Sequence, residues 1–392
     1  MGRKTLPLAV LIIAEESSGD ASDGLAAMLP VVGQTLLEYQ VRLARACGGG
    51  HIVVLVEQLP AAMVAVFDRL RADGIDVDIA RDAHDAADRI HPDETVLLFS
   101  PGLIARKRVV DELAARSEPT LVTLPDQPEH NRFERIDAND RWTGLALLNG
   151  QTVRETAAML GDWSIGSTLM RNALQAGAAR ARRETPDGFA IVTNKAEADA
   201  MSAQLVRDSE NSDHSFFSES ISQPLARLAA PHLLRLAVPI DLIVVMPVVL
   251  IGAALLLAMT GWFATGFVLL LLVSLSQAIA TMLLAVAVRN SPLVDFLNRF
   301  KPWAFYALLA LLGWTLSAAI GDWTALLLAS WGLSTFLLRR PVPPAKPMLV
   351  PSVESGAFVM LLALLFGAPM AGLIILLSHG LAGQISDRYF ND

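Results

Sequence analysis

Hydrophobic and polar positions divide the chain into two regimes. From Met1 to about Arg235 charges recur every few residues, whereas between Asp241 and Asp295 there is no Asp, Glu or Lys, and Arg289 is the only Arg. In the first regime, Leu8 to Ala14, His51 to Val56 and Thr95 to Phe99 are short apolar runs that predict buried strands. Leu36 to Ala46, Ala61 to Ala72 and Lys107 to Ala115 carry helical spacing. Strand and helix in alternation predict parallel strands with crossover helices, an α/β domain over residues 1–206. A last strand, Gly188 to Thr193, leads into a helix from Lys195 to about Val206. The run Leu6 to Ala14 is short and leads into Glu15, Glu16 and Asp20, so it reads as a strand rather than a signal peptide, which keeps this domain in the cytoplasm.

The second regime predicts an all-α polytopic membrane domain over residues 238–392. A bilayer core takes about twenty apolar residues per helix, because no water is present there to satisfy backbone groups. Spans are expected at 240–260, 263–288, 303–320 and 323–338, with Trp residues at their ends. The final apolar block, interrupted by Gly367, Ala368 and Pro369, predicts two more at 356–367 and 369–385. Arg289, Arg299 and Lys301 follow the second span, and Arg339, Arg340 and Lys346 the fourth; Arg388 follows the sixth. That spacing meets the positive-inside rule for a multi-pass inner-membrane protein. Between the domains, residues 207–237 read as a linker with interfacial amphipathic helices: Phe217, Ile221, Leu225 and Leu228 share a face, with breaks expected at Pro224 and Pro231. The lipid bilayer is therefore the first expected partner.

Composition and charge narrow the chemistry. The chain has 392 residues, is 53% hydrophobic and has a formal net charge of −8. An acidic balance excludes nucleic acid as the expected partner. One cysteine, Cys47, excludes an intramolecular disulfide. In an open α/β sheet, ligands sit beyond the carboxyl ends of the strands. The loop after Ala14 carries Glu15, Glu16, Asp20 and Asp23 without a base, and the loop after Phe99 reads Ser100, Pro101, Gly102, so neither is equipped to hold nucleotide phosphates. His84, Asp88 and His91, at i, i+4 and i+7, are a candidate Zn²⁺ face set against an ordinary solvated helix. Few ionisable groups interrupt the spans, His379 being the exception, which disfavours a transporter. Ser274, Ser276 and Gln277 fit interhelical hydrogen bonds, and Gly252 and Ala253 fit close helix packing, within the chain or in a homodimer.

The order of parts resembles the bifunctional enzymes in which an inositol-phosphate cytidylyltransferase precedes a CDP-alcohol phosphotransferase membrane domain. Leu29 to Gly33 followed by Leu36, Leu37 and Glu38 is similar to the segment after the nucleotide loop of sugar-nucleotide pyrophosphorylases. Phe189 to Ala200 is similar to that domain's closing strand and helix, and Gly367, Ala368, Pro369 to the break between the last two membrane helices. The resemblance implies a nucleotidyltransferase-like, Rossmann-like domain of glycosyltransferase A type and a membrane domain of about six helices. It also implies a D-x-x-D-G-x-x-A-R then G-x-x-x-D-x-x-x-D motif whose carboxylates hold two divalent cations. With Arg289 on the motif's Arg, the Asp positions fall on Thr281, Leu284, Asn298 and Pro302. Ser100 and Pro101 stand where a strand-end Asp would hold the soluble domain's metal. Both metal sites are therefore expected to be lost, which implies a non-catalytic binding, scaffold or regulatory protein beside an active paralogue of phospholipid synthesis. In that reading no cofactor is expected, and Arg289, Asn298, Arg299 and Lys301 are candidates for a lipid headgroup phosphate. The alternative is an active transferase making a CDP-polyol or a phosphodiester-linked polar lipid with Mg²⁺ or Mn²⁺ at a site rebuilt around Asp241 and Asp295.

Overall fold

The computed structural model describes residues 8–14, 25–159, 164–208, 218–235, 240–289, 291–337 and 352–389. The chain divides into two compact units, Met1–Gln204 and Leu205–Asp392.

The first unit is built on an eight-stranded mixed sheet. Strands β1 (Leu8–Ile13), β4 (Gly49–Leu55), β5 (Asp78–Ala80) and β6 (Thr95–Phe99) are the parallel part, with β1 between β4 and β6. Beyond β6 lie β10 (Asp140–Asn149), β8 (Thr120–Pro125) and the edge strand β11 (Ala179–Arg182), while β9 (Glu134–Arg135) pairs with β10. The expectation of an all-parallel sheet is corrected at β10, which runs antiparallel to both β6 and β8. No crossover helix is then needed between neighbours, and β10 is buried from Trp142 to Leu148 because it lies in the sheet's middle. Two small pairs stand apart: β2 (Pro30–Val31) with β3 (Gln34–Thr35), and β7 (Leu103–Ala105) with β12 (Phe189–Ile191). The expected last strand thus joins β7 rather than the main sheet.

Helices cover both faces. Alternate β1 residues Ala9, Leu11 and Ile13 enter one core with α3 (Ala83–Arg89), α5 (Gly150–Met159) and α6 (Ile165–Gln175). On the other side lies α1 (Leu36–Ala46), flanked by α2 (Ala61–Ala72) and α4 (Lys107–Ala114). Last in the unit is α7 (Lys195–Arg207).

The segment Leu29 to Glu38 shows why sequence fixes local geometry here. Val32 (φ 48°) and Gly33 (φ 73°) form the tight β2–β3 turn, and both occupy the left-handed region that suits a twisted hairpin. For a β-branched residue that conformation is strained. Burial of Val32 and donation from its backbone N–H to Ser202 Oγ (3.0 Å) hold it there. Thr35 and Glu38 then form a reciprocal capping box that starts α1. The Glu38 carboxylate also accepts from Arg69 Nε at 2.8 Å, tying α1 to α2.

The second unit is helical. A π-helical turn, Ser218–Ser222, precedes α8 (Gln223–Arg235), followed by α9 (Ile240–Met259), α10 (Phe263–Val286), α11 (Pro292–Ile320), α12 (Thr324–Leu337), α13 (Val353–Leu365) and α14 (Pro369–Tyr389). Among the described residues, α9, α10 and α11 are long and apolar enough to cross a membrane, while α13 and the Pro369–Ala382 part of α14 are shorter apolar helices. Residue 338 lies outside the described residues.

Three helices differ from expectation, α8, α11 and α13, the last beginning at Val353 rather than Gly356. Helix α11 begins at Pro292, not at Trp303, and runs through Pro302 with that proline inside it. Pro292 in the first turn needs no intrahelical N–H partner, so the helix starts there without cost. Helix α8 likewise runs through Pro224 and Pro231 where breaks were expected. Pro224 sits in its first turn, and Ala226 and Ala230 are buried on its inner face while Leu225 and Leu228 stay exposed. Phe217 lies outside the described residues. The Gly367–Ala368–Pro369 break is as expected: Gly367 takes φ 69° and Pro369 opens α14.

Small residues set the helix spacing. A Cβ on Gly356 would lie 2.6 Å from Phe305 Cζ, and one on Gly372 2.5 Å from Ala363 Cβ. A Cβ on Gly252 would meet nothing within 4 Å among the described residues.

Candidate functional site

A polar cluster of the helical unit lies where α10, α11 and α13 meet. Ser274 and Gln277 are one turn apart on α10 and are buried among apolar neighbours. Gln277 Nε2 donates to Asn298 Oδ1 on α11, and Lys301 Nζ, three residues on, lies 2.5 Å from Glu354 Oε1 in the first turn of α13. Ser274 Oγ donates to the same carboxylate oxygen at 3.0 Å. Glu354 is 6% exposed. A carboxylate so far from water persists as a charge only beside an opposite charge and with its lone pairs engaged. Its place at the start of α13, behind the Ser352 cap, adds the favourable end of the helix dipole.

This arrangement redistributes the expected residues. Asn298 and Lys301 enter the cluster. Arg289 does not: its Nη2 donates to Asp241 Oδ1 at 3.1 Å across α9 and the end of α10, an ion pair in which Asp241 is 77% exposed. The two residues assigned separately, Asp241 to a metal and Arg289 to a phosphate, thus partner each other. Asp295 is exposed in the first turn of α11, suited to that helix's N-terminus, and Arg299 is exposed on the same helix. At the positions aligned with motif carboxylates, Thr281 Oγ1 bonds back to the Gln277 carbonyl and Leu284 is packed in the core.

Glu354 is the member of this cluster that periodicity does not single out. The last apolar block was begun at Gly356, two residues beyond it. A usable signal was present, since Glu354 is the only acidic residue between Asp322 and Asp387 and flanks an apolar run.

In the α/β unit the loop from Glu15 to Asp23 lies outside the described residues. At the end of β6, Ser100 is 6% exposed, and its Oγ would lie 2.0 Å from a Cβ on Gly144. This position is filled by packing against β10, with the Ser100 N–H donating to the Gly144 carbonyl at 2.8 Å. The proposed Zn²⁺ face is corrected: α3 ends at Arg89, so His91 is off the helix, where its Nδ1 accepts the Asp93 N–H at 3.2 Å. Among the described residues no three His, Cys, Asp or Glu come together as a metal-holding group.

No family model matches the chain, and no curated protein matches it. Among solved structures, the chain is similar to a glucose-1-phosphate thymidylyltransferase from Bacillus anthracis crystallised with sucrose. The identity is 14% and the TM-score 0.41, over 53% of this chain and 98% of that one.

Proposed function

We propose that this chain is a membrane-anchored relative of the cytidylyltransferase and CDP-alcohol phosphotransferase enzymes of phospholipid synthesis that has given up metal-dependent transfer. Its role in that reading is binding, scaffolding or regulation, as a homodimer or beside an active paralogue. The α/β unit lies on the cytoplasmic side of an inner membrane, and helices α9 to α14 of the second unit form a six-helix membrane domain.

The observation that carries this reading is the Lys301–Glu354 pair. A two-metal transferase needs carboxylates turned toward divalent cations, which replace most of the ions' hydration. Here the buried carboxylate of the helical unit accepts from an internal ammonium and a serine, and Asp241 accepts from Arg289. Charges already neutralised from within have little left to offer Mg²⁺.

Thermal unfolding of the purified protein with CTP, CDP-alcohols and Mg²⁺ or Mn²⁺ tests it, since a ligand that binds the native state raises apparent stability. The expected result is no metal-dependent shift and no phosphatidyl transfer in proteoliposomes. A Mg²⁺-dependent shift with a CDP-alcohol, abolished in Asp295→Ala, would overturn it in favour of a rebuilt transferase site.

A further inference from the structure

The α/β unit has a cleft of about 790 Å³ lined by the first turn of α4, by Arg116 beyond the end of that helix, and by the edge strand β11 with the residues that follow it. Six arginines line it, Arg106, Arg108, Arg116, Arg180, Arg182 and Arg183, against the carboxylates of Glu184 and Asp187. In a chain of net charge −8 this is a local reversal of sign.

Two of these arginines are committed to the fold. Arg180 donates to Asp137 at 2.7 Å and to Asp140 at 2.8 Å, and Arg183 pairs with Glu112. Three others keep donors for a ligand. Arg182 has its nearest carboxylate oxygens at 3.6 Å (Asp140) and 3.8 Å (Glu184), beyond hydrogen-bonding distance. Arg108 is 85% exposed and meets Glu112 across one helical turn, a contact of little strength in water. Among the described residues, Arg116 has no ion pair.

The backbone adds to this. Arg106 is the N-cap of α4, and its side chain makes no capping bond, so the positive end of the helix, flanked by Arg108 and Val109, opens on the cleft. The wall is held in place: Arg106 N–H donates to the Gly188 carbonyl at 2.9 Å, and Gly188 sits at φ 100° with Val109 Cγ2 3.0 Å from where a Cβ would be. Charged residues on an edge strand also deter edge-to-edge pairing, which accounts for Arg180 and Arg182 on β11. It does not account for Arg106 at the N-cap of α4, Arg108 on that helix and Arg116 just beyond its end lining the same concavity.

We propose that this cleft binds a soluble small molecule bearing two or more phosphate groups, held by Arg108, Arg116, Arg182 and the first turn of α4. The volume suits a small-molecule ligand. Apart from Val109 and Ala181 the lining is polar or charged, which favours phosphate over an apolar body.

Titration calorimetry of the full chain in detergent, with inorganic pyrophosphate and EDTA present, tests this independently of any CDP-alcohol or metal site. Saturable binding is expected, tighter than for inorganic phosphate, and weakened at least tenfold in Arg116→Gln/Arg182→Gln. Arg71→Gln, on α2 beside the opposite edge of the sheet, is expected to bind as the wild type does. Both arginines of the double variant are on the surface, so its unfolding temperature without ligand checks that the fold is intact; Arg108→Gln supplies the same test through a single change. The proposal is overturned by the absence of saturable binding, by unchanged affinity in the double variant, or by an equal loss in Arg71→Gln. Displacement of pyrophosphate by phosphatidate nanodiscs, but not by phosphatidylcholine ones, would overturn the soluble source and assign the cleft to lipid headgroups.

Discussion

Lys301 Nζ and Glu354 Oε1 lie 2.5 Å apart between two helices, and Glu354 is the more buried partner, its side chain 7% exposed against 16% for that of Lys301. Pairs of this kind contribute little net stability against well-packed apolar residues, yet losing one member strands the other charge. Lys301→Met and Glu354→Leu are each expected to destabilise the helical unit by about 3–5 kcal/mol, and the double variant by much less than their sum. Unfolding in detergent, read by tryptophan fluorescence, gives the cycle; simple additivity would show that the pair is not coupled.

Glu38 predicts acid sensitivity in the α/β unit. Burial pushes its carboxyl up, but hydrogen bonds from Arg69 and Thr35 and the charge of Arg42 outweigh that, leaving it below its ordinary value of 4.5. A group depressed on folding contributes stability that is present above its unfolded value and lost as pH falls through the folded one. Hydrogen-exchange protection of α1 should therefore decline as pH drops below the ordinary carboxylate range. In Glu38→Gln protection should be lower at neutral pH and flatter on acidification; an unchanged acid profile would remove Glu38 as its cause.

Cys47 should be a poor nucleophile. Burial and a hydrogen bond with Asp111 push its thiol up to about 12. Only the thiolate reacts, so alkylation by iodoacetamide at pH 8 is expected to be at least about tenfold slower than for a free thiol. Asp111→Asn should speed it; reaction at the free-thiol rate in the wild type would contradict the environment described.

Gly144 is required by shape. It sits at φ 91°, and an added Cβ would meet Ser100 Oγ at 2.0 Å. Gly144→Ala is expected to cost about 1–3 kcal/mol, part of which Ser100→Gly should restore by opening the space. Chemical denaturation of the two single variants and the double variant measures this, and a neutral Gly144→Ala would show that the β6–β10 contact is looser than described.

What sequence alone revealed follows the range over which each signal acts. The bounds of α1 and α2 matched their apolar spacing to the residue, because capping and amphipathicity are local. The reversal at β10 depends on which strands pair, which spacing does not encode. At the candidate site, Asn298 and Lys301 were legible as polar residues beside a span. The partners were not: Glu354 reaches Lys301 across 53 positions, and Asp241 reaches Arg289 across 48.

The bond from Val32 to Ser202 spans 170 positions and ties the β2–β3 hairpin of the α/β unit to its last helix. Synthesis proceeds from the N-terminus, and domains tend to fold as units in that order. The strained turn at Val32 and Gly33 is therefore made early but secured only when α7 has been added. The first apolar helix starts at Ile240, after α7. Chain order thus separates two events in time: α7, which secures the Val32 turn, is made before the first helix that is long and apolar enough to cross a membrane.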